Sequence, residues 1–128
     1  MTKMSNYLEN AFVNATLRGT AYTAPATVYL ALYTTDPTDA DVGVEVTGGA
    51  YARQSSAFIV PVDGATSLAA NVTFPQATAG WGTVTHIGLR DALTGGNLLY
   101  YTSLTTARAV LSGDTLGFLS GQLPITLS

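Results

Sequence analysis

The stretch from Val28 to Tyr33, Val-Tyr-Leu-Ala-Leu-Tyr, has no polar face if it forms a β-strand. Because successive side chains of a strand point to opposite faces, apolar residues lie on both sides of this one. Asp36-Pro37 then ends the segment. A strand that is apolar on both faces must be covered on both faces. We expect one cover to be the body of the domain. The second is either an N-terminal helix or another copy of the protein.

The candidate for that helix runs from Asn6 to Arg18 and ends at Gly19. Asn6 followed three residues later by Glu9 is typical of a capping pair at a helix start. Apolar residues recur at helical spacing and give one apolar stripe, which consists of Leu8, Ala11, Phe12 and Ala15. A helix this short is marginal alone. It therefore needs a surface, either on its own domain or on a neighbouring subunit.

The remainder of the chain, about 27–128, has the pattern of an antiparallel β-domain. Turn signals such as Asp63-Gly64 separate short segments that are rich in Thr and Tyr. The predicted strands are 28–33, 50–60, 71–74, 83–90, 97–104, 107–111, 115–119 and 123–127. In the fourth of these, strict alternation places Val84, His86, Gly88 and Arg90 on one face. The sequence predicts a single domain over 1–128: a mainly β sandwich or jelly-roll-like fold of about eight strands with one short N-terminal α-helix.

The chain is poor in charge. Charged residues make up 10% of it, against about 25% in ordinary soluble domains. This low charge favours self-association, so we expect a homo-oligomer. The five Lys and Arg residues form no basic stripe, and the net charge is −3, so direct nucleic-acid binding is not expected. No apolar run approaches the roughly 20 residues of a transmembrane helix, and no membrane partner is expected.

No motif in the chain marks an active site. His86 is the only histidine, and no nucleophile-elbow spacing accompanies it. Asp36, Asp39, Asp41 and Glu45 form an acidic loop, but their spacing does not match an EF-hand, so a solvated surface loop is the better interpretation. The chain has no cysteine, which excludes disulfides and thiolate chemistry. We therefore predict no enzymatic activity, no catalytic residues, no metal and no cofactor.

Aromatic residues provide the candidate contact surface. Trp81, between Gly80 and Gly82, either anchors its loop by burying its ring or stacks on a sugar face, and we favour the anchor. Tyrosine is enriched at protein interfaces. The candidate interface residues are Tyr29, Tyr33, Tyr51, Trp81, Tyr100 and Tyr101.

Several ordered blocks, spread over nearly the whole chain, resemble a family of small structural proteins of tailed bacteriophages and prophages, whose members are often labelled phage tail fibre proteins. The blocks are YLENA at 7–11, LRGTAY at 17–22, VYLALYTTDPTD at 28–39, YARQ at 51–54, VTFP at 72–75, WGTVTHIGLRD at 81–91, GGNLLY at 95–100 and SGDT at 112–115. The resemblance implies a virion component that is assembled in the cytoplasm of the host bacterium. It offers no catalytic residues to transfer to this chain.

Two virion roles compete. In the first, the protein is a capsid decoration or cement protein, a symmetric homo-oligomer with a trimer as the preferred form, bound to the major capsid protein of the head shell. In the second, it is a tail component, either a fibre or an adaptor. Because fibres are usually long and repetitive, the compact, acidic, charge-poor chain favours decoration. A glycan-binding module for host attachment is a lesser alternative.

Overall fold

The computed structural model describes residues 2–127, which form one α-helix and nine β-strands. The helix is α1 (Asn6–Leu17), and the strands are β1 (Lys3–Met4), β2 (Val28–Tyr33), β3 (Gln54–Ser56), β4 (Ala65–Thr66), β5 (Val72–Thr73), β6 (Gly82–Arg90), β7 (Leu98–Val110), β8 (Gly117–Phe118) and β9 (Ile125–Thr126). Five strands form one sheet in the order β1-β7-β6-β2-β3, and β4-β9 and β5-β8 form two-stranded sheets. Every named strand pair is antiparallel. The predicted mainly β, antiparallel fold with one short N-terminal helix is confirmed.

Both faces of β2 are covered by the chain itself. Leu30 and Leu32 lie in the main core, between the five-stranded sheet and the segments that carry β5, β8 and β9, which gives a sandwich-like arrangement. Ala31 and Tyr33 lie on the opposite face, in a second buried cluster with Leu98 and Tyr101. The expectation that this strand needs two covers is confirmed, and both covers come from within one chain.

The N-cap residue of α1 lies one position before the predicted one. Ser5, not Asn6, is the N-cap residue, and its hydroxyl oxygen accepts a hydrogen bond of 3.2 Å from the Leu8 amide. At the other end Gly19 adopts a left-handed φ of 69°, as the predicted stop requires. Leu8 is buried, and α1 packs against β7 of the same chain. None of the described residues forms a helix that is long and apolar enough to span a membrane.

A bulge in β6 makes the predicted alternation of that strand wrong at one position. Val84, Ile87 and Leu89 all lie in the main core, so Val84 does not share a face with Gly88 and Arg90. The register shifts between Val84 and His86, where one residue of β6 faces four of β7. An extra residue in a strand moves the following side chains to the other face.

The same shift interrupts β7. Val84 pairs with Arg108 and His86 with Ser103, so the four residues Leu104–Ala107 bulge out between them. This bulge separates the two strands that were predicted at 97–104 and 107–111, which here form one long β7. The prediction of two separate strands is therefore wrong, because β7 is continuous from Leu98 to Val110 and only its ladder with β6 is interrupted.

The predicted strand 50–60 is mostly wrong. Only Gln54–Ser56 forms strand, and Phe58 makes a single bridge to Leu68. Ala50 has a left-handed φ of 66°, which no regular strand accommodates. The predicted strands at 71–74, 115–119 and 123–127 shrink to two residues each, and β1 and β4 were not predicted.

Candidate interaction surfaces

Arg90 closes one end of the five-stranded sheet. It is the last residue of β6 and is only 8% exposed. Its guanidinium donates two hydrogen bonds to the Asp41 carboxylate, at 2.8 and 2.9 Å, and one of 2.9 Å to the Tyr33 hydroxyl. It also donates to the carbonyl oxygens of Gly95 and Gly96 at 3.2 and 2.9 Å. One side chain thus ties the 36–46 loop to the β6–β7 loop.

Arg53 makes a second set of hydrogen bonds next to those of Arg90. It binds both carboxylate oxygens of Glu45, at 2.8 and 2.7 Å. It donates further bonds of 2.8 Å each to the carbonyl oxygens of Ala92 and Gly95. The Gly95 carbonyl oxygen therefore accepts a hydrogen bond from each of the two guanidinium groups. The β6–β7 loop thus joins the two ion pairs. We call Tyr33, Asp41, Glu45, Tyr51, Arg53 and Arg90 the arginine network.

Tyr51 links this network to the central strand. Its hydroxyl donates to Glu45 at 2.6 Å and accepts from the backbone amide of Leu32 at 3.0 Å. Burial by itself raises the pKa of the Glu45 carboxyl, but the hydrogen bonds from Arg53 and Tyr51 outweigh it and hold that pKa below its ordinary value. Burial and the bond to Glu45 raise the pKa of the Tyr51 hydroxyl. Glu45 is therefore ionised, and Tyr51 neutral, at physiological pH.

The buried polar groups of the network are paired within the described chain. Within residues 2–127 every buried side-chain nitrogen or oxygen has a hydrogen-bond partner. In the same residues no group of three His, Cys, Asp or Glu side chains converges to hold a metal. Asp36, Asp39 and Asp41 are exposed, as the predicted solvated surface loop requires, whereas Glu45 is half-buried. Asp41 and Glu45 also pair with Arg90 and Arg53, distant partners that sequence spacing did not reveal.

Beyond its short pairing with β1, the outer side of β7 has no strand partner among the described residues. Beside β7 lies a groove of about 800 Å³, bounded on the other side by the segments 115–118 and 122–124. Leu116, Phe118 and Leu123 supply apolar surface, while the Leu104–Ala107 bulge and its neighbours add hydroxyl groups. Arg108 is the only charged residue among those that line the groove in the described part of the chain. We call this feature the β7 groove.

Strand edges are left unpaired around the β7 groove. Among residues 2–127, no strand pairs with Leu104–Ala107. β8 pairs with β5 on one side and with no strand of the described chain on the other. Unpaired edges are the places at which sheets accept another chain.

A second exposed apolar feature is the hairpin 58–68. In the segment before its turn, Val60 and Val62 are 83% and 69% exposed. Its second strand packs inward, since the Leu68 amide donates to Gln122 at 2.9 Å and Ala65 pairs with Thr126. We call this element the Val60 hairpin. Sequence reasoning did not single it out, although its apolar run before Asp63-Gly64 was a signal for an exposed contact.

The six predicted interface residues lie inside the chain or are half-buried. Tyr33, Trp81 and Tyr101 are 1%, 5% and 7% exposed, and Tyr29, Tyr51 and Tyr100 are half-buried. The Trp81 indole N–H donates to the Gly49 carbonyl at 2.9 Å, and its ring packs edge-on against Tyr51. The Tyr101 hydroxyl donates to Asp39. Trp81 thus has the position of an anchor, and the role of these residues between subunits stays a prediction.

His86 has no catalytic surroundings. It is half-buried on β6, and its ring Nδ1 shares a hydrogen bond of 2.8 Å with the Thr85 hydroxyl. The nearest carboxylate oxygen, from Asp36, is 3.8 Å from Nε2. Ser103 lies opposite His86 on β7, but the hydrogen bond of the ring goes to Thr85 rather than to that serine, so these contacts do not form a triad.

The sequence matches the family described as Podophage GP4 fiber I protein gp80 over residues 3–126. A search of curated proteins finds no match to the chain. The family match spans all but the ends of the sequence and includes every strand and the helix described above. The chain belongs to the Podophage GP4 fiber I protein gp80 family, a family of phage fibre structural proteins.

Proposed function

We propose that this protein is a non-enzymatic structural component of a bacteriophage tail fibre. The observation that carries the proposal is the match to a phage fibre family over residues 3–126. The family makes the protein a virion component, and the word fibre in its description favours the tail over the head. Capsid decoration, which the compact, non-repetitive, acidic and charge-poor chain favoured, gains no support from that match.

Two features of the fold support a structural role. The arginine network fixes two loops to the end of the sheet with charge-assisted bonds, which are stronger than neutral ones. The β7 groove and the Val60 hairpin leave apolar surface available for other chains. We propose that the protein works as an oligomer and that its partners are further copies and neighbouring tail proteins.

Glycan binding through Trp81 has little structural basis. A ring that is 5% exposed presents no face on which a sugar ring can stack. Replacing Trp81 by Ala would remove core packing first, so its consequence would be lost stability rather than lost binding alone.

Copy number and position in purified virions test the tail assignment. Quantitative mass spectrometry against the major capsid protein should give tens of copies or fewer per particle. Antibody-gold labelling should mark the tail in electron micrographs. Hundreds of copies per particle, with label spread over the head, would overturn the tail assignment and favour capsid decoration.

A further inference from the structure

We infer that the Val60 hairpin of one copy occupies the β7 groove of the next, so that the protein assembles head to tail through two different surfaces. The inference deepens the proposed function, and rests on it for the oligomer, but it concerns surfaces of the isolated chain. It can therefore be tested without a virion.

The groove selects its occupant by charge and by apolar surface. Its surface combines the apolar side chains of Leu116, Phe118 and Leu123 with one cation, Arg108, and no carboxylate among the described residues that line it. A chain segment that complements this surface therefore has aliphatic side chains next to a single acidic residue. Opposite charges across an interface fix register and exclude wrong partners.

The Val60 hairpin has this pattern. Val60 and Val62 are exposed, and Asp63 follows directly at the turn, with a left-handed φ of 52°. In the described chain neither Asp63 nor Arg108 forms an ion pair, whereas Arg53 and Arg90 are each bound to an acid. The hairpin thus offers two aliphatic side chains and one free acid to a groove that has apolar surface and one free cation.

The Val60 hairpin of one copy cannot reach the β7 groove of the same copy. The segment 65–68, which begins with β4, pairs with 59–62 on one side and with the 121–126 segment on the other, through Val62–Ala65, Ala65–Thr126 and Leu68–Gln122 contacts. Residues 122–124 of that segment line the groove. The exposed strand of the hairpin is therefore separated from the groove by the inner strand and by the groove wall, and its side chains are available only to another molecule.

Because the two surfaces differ, the contact is heterologous. Repeating it closes a ring if the rotation returns to the first copy, and it builds an open filament if the rotation does not. Pro61 has no amide hydrogen and makes unlimited edge-to-edge sheet growth along the hairpin unfavourable. The contact is accordingly made by side chains in the groove and by the pair Asp63–Arg108.

Charge exchange tests the pairing in solution. We expect the purified chain to sediment as an oligomer at micromolar concentration, and Asp63→Arg or Arg108→Glu to weaken association at least about tenfold. The double variant Asp63→Arg/Arg108→Glu restores the pair in reverse and should associate within about threefold of the wild type. Glu9→Arg and Arg18→Glu, which make the same charge changes on the helix, should associate like the wild type. Thermal melting checks that every variant is folded.

Because the chain has no cysteine, engineered thiols provide a direct test of the head-to-tail arrangement. Oxidation of a mixture of Asp63→Cys and Arg108→Cys proteins should give disulfide-linked dimers of one kind of chain with the other. Asp63→Cys/Arg108→Cys should give a ladder of linked oligomers. A monomeric wild type, oligomers that are unaffected by either charge change, or Asp63→Cys chains that link only to themselves would each overturn the inference. Virions that carry monomeric charge variants in the tail would overturn it while leaving the proposed function in place.

Discussion

The two sides of the five-stranded sheet differ in how completely their backbone hydrogen-bonding groups and charged side chains are paired. At the β2 end, Arg53 and Arg90 bind two acids and the carbonyl groups of the β6–β7 loop, so that the 36–46 and 91–97 loops are held to the sheet. At the β7 edge, four residues bulge without a strand partner beside a groove of about 800 Å³. The first region is complete within one chain, and the second is not.

Because of this difference, we expect substitutions in the first region to affect stability and substitutions in the second to affect association. Removing a partner from a satisfied, buried charge pair leaves an uncompensated charge, so the β2 end is where substitutions should unfold the protein. Exposed residues with few contacts contribute little to folding, so the β7 edge is where they should alter association while leaving the fold intact.

Arg90→Met should lower the free energy of unfolding by about 2 to 4 kcal/mol, because the buried Tyr33 hydroxyl loses its hydrogen-bond donor and the partly exposed Asp41 loses its ion pair. Urea denaturation followed by circular dichroism measures the loss. Arg18→Met, an exposed arginine at the helix end, is the matched control and should stay within about 0.5 kcal/mol of the wild type. Equal losses for the two variants would show that the arginine network does not hold the sheet end.

Glu45→Gln should cost about 2 kcal/mol at neutral pH, because charge-assisted bonds from Arg53 and Tyr51 become neutral ones. The folded-state pKa of Glu45 lies below its unfolded value, so its contribution is present above the ordinary pKa of a glutamate and is lost as pH falls through the folded-state pKa. The difference between the wild type and Glu45→Gln should therefore shrink on acidification. A difference that stays constant from neutral pH to acid would contradict the ionised state of Glu45.

Gly88→Ala should cost about 1 to 3 kcal/mol through overpacking on the second face of the sheet. A Cβ atom at this position would lie 2.8 Å from Leu98 Cδ1 and 2.8 Å from Tyr33 Cε2. Gly80→Ala is the control, since its Cβ would have a single neighbour, at 3.6 Å. Thermal melting of both variants measures the effect, and an unchanged melting temperature for Gly88→Ala would mean that the Tyr33 cluster is loosely packed.

Thr105→Ala and Thr106→Ala should change the stability of the monomer by no more than about 0.5 kcal/mol, since both residues are exposed in the unpaired bulge. The same denaturation series measures them. A loss comparable to that of Glu45→Gln would assign the bulge to the folded core and remove the contrast between the two regions.

Sequence patterns predicted the parts of this fold that depend on local periodicity. The two-sided apolar strand at 28–33, the helix with its Gly19 stop and the β6 strand all follow from spacing and turn residues. The same patterns did not predict the arginine network, because the pairs Glu45–Arg53 and Asp41–Arg90 join residues that only tertiary folding brings close together. Nor did they predict the β7 bulge, whose register depends on the pairing of two strands rather than on either one alone.

Amide hydrogen exchange on the full chain, measured at low and high protein concentration, tests the contrast most directly. The Leu32 amide, bound to the Tyr51 hydroxyl at the centre of the sheet, should exchange slowly at both concentrations. The amides of Leu104–Ala107 should exchange rapidly in the dilute monomer and at least about tenfold more slowly once the protein assembles. Bulge amides that are already as slow as Leu32 in the monomer, or whose exchange does not change on assembly, would contradict the claim that the β7 edge is the open, assembling side of the molecule.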